Sequence, residues 1–162
     1  MKFDDFIGWW KNVGCTALFF DDALKGNPQL AGAGGVIFES KGKKIKEYSW
    51  GIGKQTNNSV ECLALNKGLE LVRNIGIKEL VVFRDSMLVV REARNLMKKR
   101  KNLVTKTHHI LKCMVNEYKA INFLHLLRAN NQHVNIIANK GVDLDCGVLV
   151  CNQKDYKRNW IP

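Results

Sequence analysis

The sequence predicts an α/β fold built on a five-stranded mixed sheet, three antiparallel strands followed by parallel ones, flanked by helices. Three observations carry this. Apolar segments at residues 16–20, 31–39 and 43–51 follow one another with only short turns between them, which joins them as an antiparallel meander. After Gly53 the apolar period changes to helical spacing. Leu80-Val81-Val82-Phe83 is then a continuous apolar run, the pattern of a strand covered on both faces, and such strands belong to the parallel half of a sheet.

Residues 16–20 form the first short strand, ended by the turn-forming stretch Asp21-Asp22-Ala23-Leu24-Lys25-Gly26-Asn27-Pro28. Residues 31–39, where Gly and apolar residues mix, form the second, and the turn at Ser40-Lys41-Gly42 leads into the third at 43–51. From 58 to 74, Val60, Leu63, Ala64, Leu65, Leu69, Leu71 and Val72 keep helical spacing; Thr56, Asn57 or Asn58 can cap the first turn, and Gly76 closes the helix. The strand at 80–83 is followed by a helix from Met87 to the Lys98 cluster, and a further helix fits 104–118. A strand at 120–127 and a last helix at 132–140, ended by Gly141, complete the order β-β-β-α-β-α-α-β-α.

The chain has 162 residues, 46% of them hydrophobic, enough to bury a core, and no Ser- or Gly-rich linker or internal repeat divides it. One domain over 1–162 is expected, with its core at about 14–141, a short lead-in and a C-terminal tail. Disordered and fibrous classes are excluded by composition. No run reaches the roughly 18 to 20 apolar residues of a membrane span, and Met1-Lys2-Phe3-Asp4-Asp5 is acidic where a secretory signal is basic, so an intracellular protein, nuclear or cytoplasmic, is expected, with no membrane partner. Cys15, Cys62, Cys113, Cys146 and Cys151 are odd in number and contain no CxxC pair, which suggests neither a disulfide framework nor a zinc site. Gly32-Ala33-Gly34-Gly35-Val36-Ile37 lacks the third glycine of a dinucleotide loop and opens a strand, not a helix.

The net charge is +11, and residues 91–128 carry ten Lys or Arg against Glu92 and Glu117. A localised excess of this kind favours a polyanionic partner, with a solvated basic surface or a targeting patch as the plain alternative. Against this basic background stand three acids at element ends: Asp21 after the first strand, Glu61 in the first turn of the first helix, and Asp85 after the buried strand. Each alone is an ordinary cap or dipole partner. Together in one place they would bind hard divalent cations through oxygen, and two Mg²⁺ ions roughly 4 Å apart can activate a water and stabilise the leaving oxygen of a phosphodiester.

The ordered motifs Phe20-Asp21-Asp22-Ala23-Leu24-Lys25-Gly26-Asn27-Pro28, Ala31-Gly32-Ala33-Gly34-Gly35-Val36-Ile37, Thr56-Asn57-Asn58-Ser59-Val60-Glu61 and Arg84-Asp85-Ser86 resemble those of ribonuclease H. The resemblance continues through His125-Leu126-Leu127-Arg128, Asn131 and Asn135-Ile136-Ile137-Ala138-Asn139 into Gly141-Val142-Asp143-Leu144-Asp145. The Trp9-Trp10 lead-in and the spacing of the last part are similar to plant retroelement-type domains of that family, associated with reverse transcriptases.

The resemblance implies a ribonuclease H-like fold and an endonuclease that cuts the RNA strand of RNA/DNA hybrids with two Mg²⁺ or Mn²⁺ ions held by four acids. Carried over, Asp21 bridges both metals, Glu61 and Asp85 serve the leaving-group side, and the fourth position falls on Asn135. An amide there offers one neutral carbonyl oxygen in place of a charged ligand, so the ion on the water side is expected to bind more weakly and activity to be attenuated. The alternative is a catalytically inactive, domesticated nucleic-acid-binding or regulatory module. His125, ten residues before Asn135, matches the His with which bacterial members move a proton or release product; otherwise it is a hydrogen-bonded strand-end residue.

Asp22 replaces the family's usual Gly and is expected to face solvent rather than add a ligand. By resemblance Lys25, Asn27, Thr56, Asn57, Asn58, Ser86, Arg128 and Asn131 would meet the nucleic acid. Lys98-Lys99-Arg100-Lys101, which also suits a helix C-terminus or an import signal, would contact the DNA strand. RNA would be told from DNA by 2′-hydroxyl contacts, and a monomer is expected.

Overall fold

A computed structural model of the chain describes residues 14–26, 28–40, 42–55, 57–84, 106–126 and 131–152. The strands are β1 (Thr16–Lys25), β2 (Leu30–Phe38), β3 (Lys44–Lys54), β4 (Glu79–Arg84), β5 (Ala120–His125) and β6 (Leu149–Asn152); the helices are α1 (Asn57–Asn74), α2 (Lys106–Asn116) and α3 (Gln132–Val142). They form one sheet in the order β5-β4-β1-β2-β3-β6. β1, β2, β3 and β6 are successively antiparallel, while β4 runs parallel to both β1 and β5. The mixed sheet expected from sequence is therefore present.

Two expectations are corrected. The sheet has six strands, not five, because β6 pairs with Glu47–Trp50 of β3, although in sequence it lies in the tail beyond residue 141. β6 is only four residues long, too short for its alternation to stand out: Leu149 and Cys151 pack against the core while Val150 is exposed. β1 does not end at Phe20 but runs on to Lys25, each residue from Asp21 to Lys25 pairing with one from Gly34 back to Leu30. Pairing along β2 overrides the turn preference of the aspartates, and the chain reverses only after Gly26, whose φ of +85° suits glycine. The helix expected after Met87 lies outside the described residues.

Alternation along the strands makes two cores. Leu18, Phe20, Ile37, Leu80 and Val82 face α1 and α2, where Leu65, Leu69 and Leu111 meet them. Ala17, Phe19, Phe38, Val81 and Phe83 face α3 and meet Val134 and Ile137, with Phe19 stacked on Phe83 at 4.9 Å and edge-on to Phe38.

The glycine-rich β2 makes the second layer unusually close. A Cβ on Gly34 would stand 2.5 Å from the backbone nitrogen of Ala138, and one on Gly32 would stand 2.2 Å from that of Val142. Gly141 approaches the carbonyl oxygen of Ala33 in the same way from the helix side. The glycines that fail as a nucleotide loop thus seat α3 backbone to backbone on the sheet, held further by Ser49, whose hydroxyl donates to the carbonyl of Ile137 at 2.8 Å. This seating fixes where α3 presents its side chains.

Candidate active site

Parallel pairing between β1 and β4 ends at Phe19 and Phe83, and β1 continues past that point beside β2 alone. Asp21 lies two residues on, at the carboxyl edge of the parallel half, where strands of this kind collect polar groups. It is 3% exposed, and a carboxylate buried to that degree requires charged or hydrogen-bonding partners. Three are present. The backbone N–H of Asp22 donates to Asp21 Oδ1 at 2.8 Å, the side-chain amide of Asn135 donates to Oδ2 at 3.0 Å, and Nη1 of Arg84 donates to Oδ1.

Arg84 is the centre of the arrangement. It ends β4 on the same face as Leu80 and Val82 and is 5% exposed, with its guanidinium 5.3 Å from the Phe20 ring centroid. Nη2 donates to Asp22 Oδ1 at 2.5 Å and lies 3.7 Å from Glu61 Oε1. One planar guanidinium therefore faces three carboxylates, from β1 and from α1. Sequence reasoning assigned Arg84 no role. The available signal was its position: a charge closing an otherwise apolar buried strand must be paired.

Asp22, expected to face solvent, is drawn onto Arg84 instead, because a second acid beside a buried guanidinium gains more from pairing than from hydration. Glu61 is in the second turn of α1, not the first, since the helix begins at Asn57 and its first turn holds no acid; its side chain is 34% exposed.

Asn135 reaches Asp21 from α3, as the resemblance required of the fourth position, but not with the expected group. A carboxylate only accepts, so Nδ2 faces Asp21, while Oδ1 accepts from Nδ2 of Asn139 at 3.2 Å. The carbonyl oxygen is thus turned away from the acids, and Asn139, which the sequence motif includes without a role of its own, holds it there.

Asn131, expected to touch nucleic acid, is 1% exposed at the N-terminus of α3, and its amide donates to the carbonyl of Phe20 at 3.3 Å. It ties the helix to the residue before Asp21 and so positions Asn135. His125 ends β5 in register with Arg84, and the amide of Leu126 donates to the Arg84 carbonyl at 2.8 Å. Lys25 ends β1 and is exposed, and Asn57 and Asn58 form the start of α1. Asp85, Ser86, Asn27, Thr56, Arg128 and Lys98, Lys99, Arg100 and Lys101 lie outside the described residues.

Among the described residues no three His, Cys, Asp or Glu converge closely enough to hold a metal ion. The donor type is the one a hard cation takes, carboxylate oxygen, but Asp21, Asp22 and Glu61 here face one positive group of the protein itself, the Arg84 guanidinium. Among the described residues no helix is long and apolar enough to cross a membrane.

The fold has close counterparts. Ribonuclease HI of Halobacterium salinarum is 26% identical over 125 residues, 77% of this chain and 63% of that protein. The RNase H1 structure from this archaeon superposes with a TM-score of 0.69, covering 80% of this chain and 98% of that one. The bifunctional protein Rv2228c of Mycobacterium tuberculosis is 29% identical over 124 residues, 76% of this chain. The chain spans only about a third of the length of such mycobacterial relatives, 34%. LC11-RNase H1, isolated from compost, is 28% identical with a TM-score of 0.68 in its complex with RNA/DNA hybrid, over 79% of this chain and 96% of that one. Residues 19–141 match the family model described as Reverse transcriptase-like, and the chain belongs to that ribonuclease H-like family.

Proposed function

We propose that the chain binds RNA/DNA hybrid and hydrolyses its RNA strand, at a rate attenuated by Asn135. The observation that carries this is that Asp21 of β1 and Glu61 of α1 both face Arg84, while Asn135 of α3 is hydrogen-bonded to Asp21, at the carboxyl edge of the parallel strands. A family relative solved with the hybrid supports the substrate. In this reading Asp21 and Glu61, with Asp85, would hold two Mg²⁺ or Mn²⁺ ions, which when bound would supply activation of the attacking water and stabilisation of the leaving 3′ oxygen. Asp21 is fixed for this work by the Asp22 N–H, and α3 is fixed by Asn131. Asn135 contributes no negative charge, which lowers the field available to a cation on its side of the site. The basic residues of 91–128 supply affinity for the phosphates.

The test is cleavage of a labelled hybrid in Mn²⁺ or Mg²⁺, beside Asp21→Asn, with binding measured separately across a salt series. Slow cleavage by the parent and none by Asp21→Asn is the expected result. Affinity should fall steeply with salt, by about one logarithmic unit of slope per phosphate contact. Binding without cleavage at high protein concentration identifies a catalytically inactive binding module instead, and no binding at low salt defeats both readings.

A further inference from the structure

We propose that Arg84 is a built-in counter-ion of the acidic centre, which a divalent cation must displace in order to bind. This rests on the reading of Asp21 and Glu61 as metal-holding acids. The geometry points to it directly. Nη1 of Arg84 is hydrogen-bonded to Asp21, Nη2 is 2.5 Å from Asp22 Oδ1, and the same Nη2 is 3.7 Å from Glu61 Oε1. These oxygens come from two separate elements and share one positive neighbour, so the guanidinium stands at the focus of their field.

A second cation of higher charge cannot take the same oxygens while the guanidinium stays, because like charges at such a distance repel strongly in a buried setting. A hydrogen bond from Arg84 also occupies Asp21 Oδ1, which a metal would need as an open lone pair, and the bond to Asp22 Oδ1 holds the guanidinium there. Asn135 acts in the same direction by donating to Asp21 Oδ2. Without metal, Asp21 accepts three hydrogen bonds, and the acids are held together without the mutual repulsion that an empty carboxylate cluster would suffer. Displacing Arg84 and rearranging the Asn135 amide both oppose metal entry, so affinity is lowered and the metal-free protein is stabilised.

The experiment is Mn²⁺ binding by calorimetry and by the loss of free-ion EPR signal, for the parent and for Arg84→Gln, with thermal unfolding in EDTA and in Mn²⁺. Arg84→Gln should bind Mn²⁺ at least tenfold more tightly, unfold at a lower temperature than the parent in EDTA, and gain more from Mn²⁺ than the parent does. Equal or weaker binding by a folded Arg84→Gln, including no binding by either protein, overturns the proposal.

Should Arg84→Gln fail to fold even with Mn²⁺ present, the parent itself decides. In a Mg²⁺ titration followed by ¹⁵N NMR of arginine side chains, the Arg84 guanidinium signal should shift with saturation and lose its restricted rotation. Mg²⁺ binding that leaves this signal unchanged, or no Mg²⁺ binding to the folded parent together with none to Arg84→Lys, overturns the idea. Hybrid binding and cleavage are scored separately, so a chain that cleaves hybrid but fails these tests retains its function and loses only the role given to Arg84.

Discussion

The side-chain amide of Asn135 points its Nδ2 at Asp21 Oδ2, 3.0 Å away, and so joins the last helix to the first strand through a donor where an acid would bring a second charge. In the proposed reading the contact stabilises the metal-free fold and weakens the centre's hold on cations. Both effects come from the same replacement of charge by amide.

Asn135→Asp should separate those effects. Without metal it places two carboxylates about 3 Å apart and removes a charge-assisted hydrogen bond, a cost of about 1–3 kcal/mol at neutral pH. Mn²⁺ should restore most of that loss, and hybrid cleavage should rise by about tenfold or more, equivalent to about 1.4 kcal/mol of barrier. Urea unfolding in EDTA and in Mn²⁺, beside a cleavage rate, checks it; an unchanged midpoint in EDTA would contradict the coupling.

Gly34→Ala tests the seating of α3. Its Cβ would meet the Ala138 nitrogen at 2.5 Å and the Ile137 carbonyl carbon at 2.7 Å, both backbone atoms that no rotamer change can move. Overpacking of this kind costs about 1–3 kcal/mol, and relief by lifting the helix would draw Asn135 off Asp21. The expected result is a lower unfolding midpoint together with altered Mn²⁺ affinity. Lower stability with unaltered Mn²⁺ binding would show that helix seating and the acidic centre are independent.

Tyr48 is expected to lower stability at alkaline pH. It is fully buried, its hydroxyl is wedged against Gly35 and Gly68, and among the described residues no hydrogen-bond partner reaches it. Burial pushes its phenol far above the ordinary value of 10, and Tyr118 moves the same way. Because the folded chain holds the neutral phenol, the stability this confers is whole below about pH 10 and is lost as the unfolded chain ionises above it. Tyr48 alone contributes about 1.4 kcal/mol of loss per pH unit there. Tyr48→Phe should leave stability equal or raise it by about 1 kcal/mol at pH 7, and flatten the alkaline decline. Denaturant midpoints from pH 8 to 12, with phenolate absorbance followed alongside, provide the measurement.

Most of the strand and helix order was legible because each element carries its own period: Leu80 to Phe83 as a buried run, Val60 to Val72 as a helical face. The extension of β1 through Asp21 to Lys25 was not, since it depends on a partner strand and not on local preference. Asp21, Glu61 and Asn135 were singled out through the order of motifs, but their hydrogen-bonding partners were not readable there. The direction of the Asn135 amide follows from Asn139 and Asp21 on either side of it, and the place of Arg84 from folding β4 against β1. The bond from Asn131 was hidden for a related reason: a polar residue beside a helix start looks identical in sequence whether it greets a ligand or the carbonyl of Phe20.

The glycine track beneath α3 also limits what evolution or an engineer can attempt at position 135. A helix lodged with its backbone against a strand cannot move closer to it, so it cannot carry a shorter side chain at 135 to Asp21, and the contact depends on the reach of the side chain itself. Aspartate matches the reach of the present asparagine. Glutamate, one methylene longer, would have to bend out toward solvent, to which position 135 is open, so the exchange of nitrogen for oxygen is the change that alters charge at constant reach.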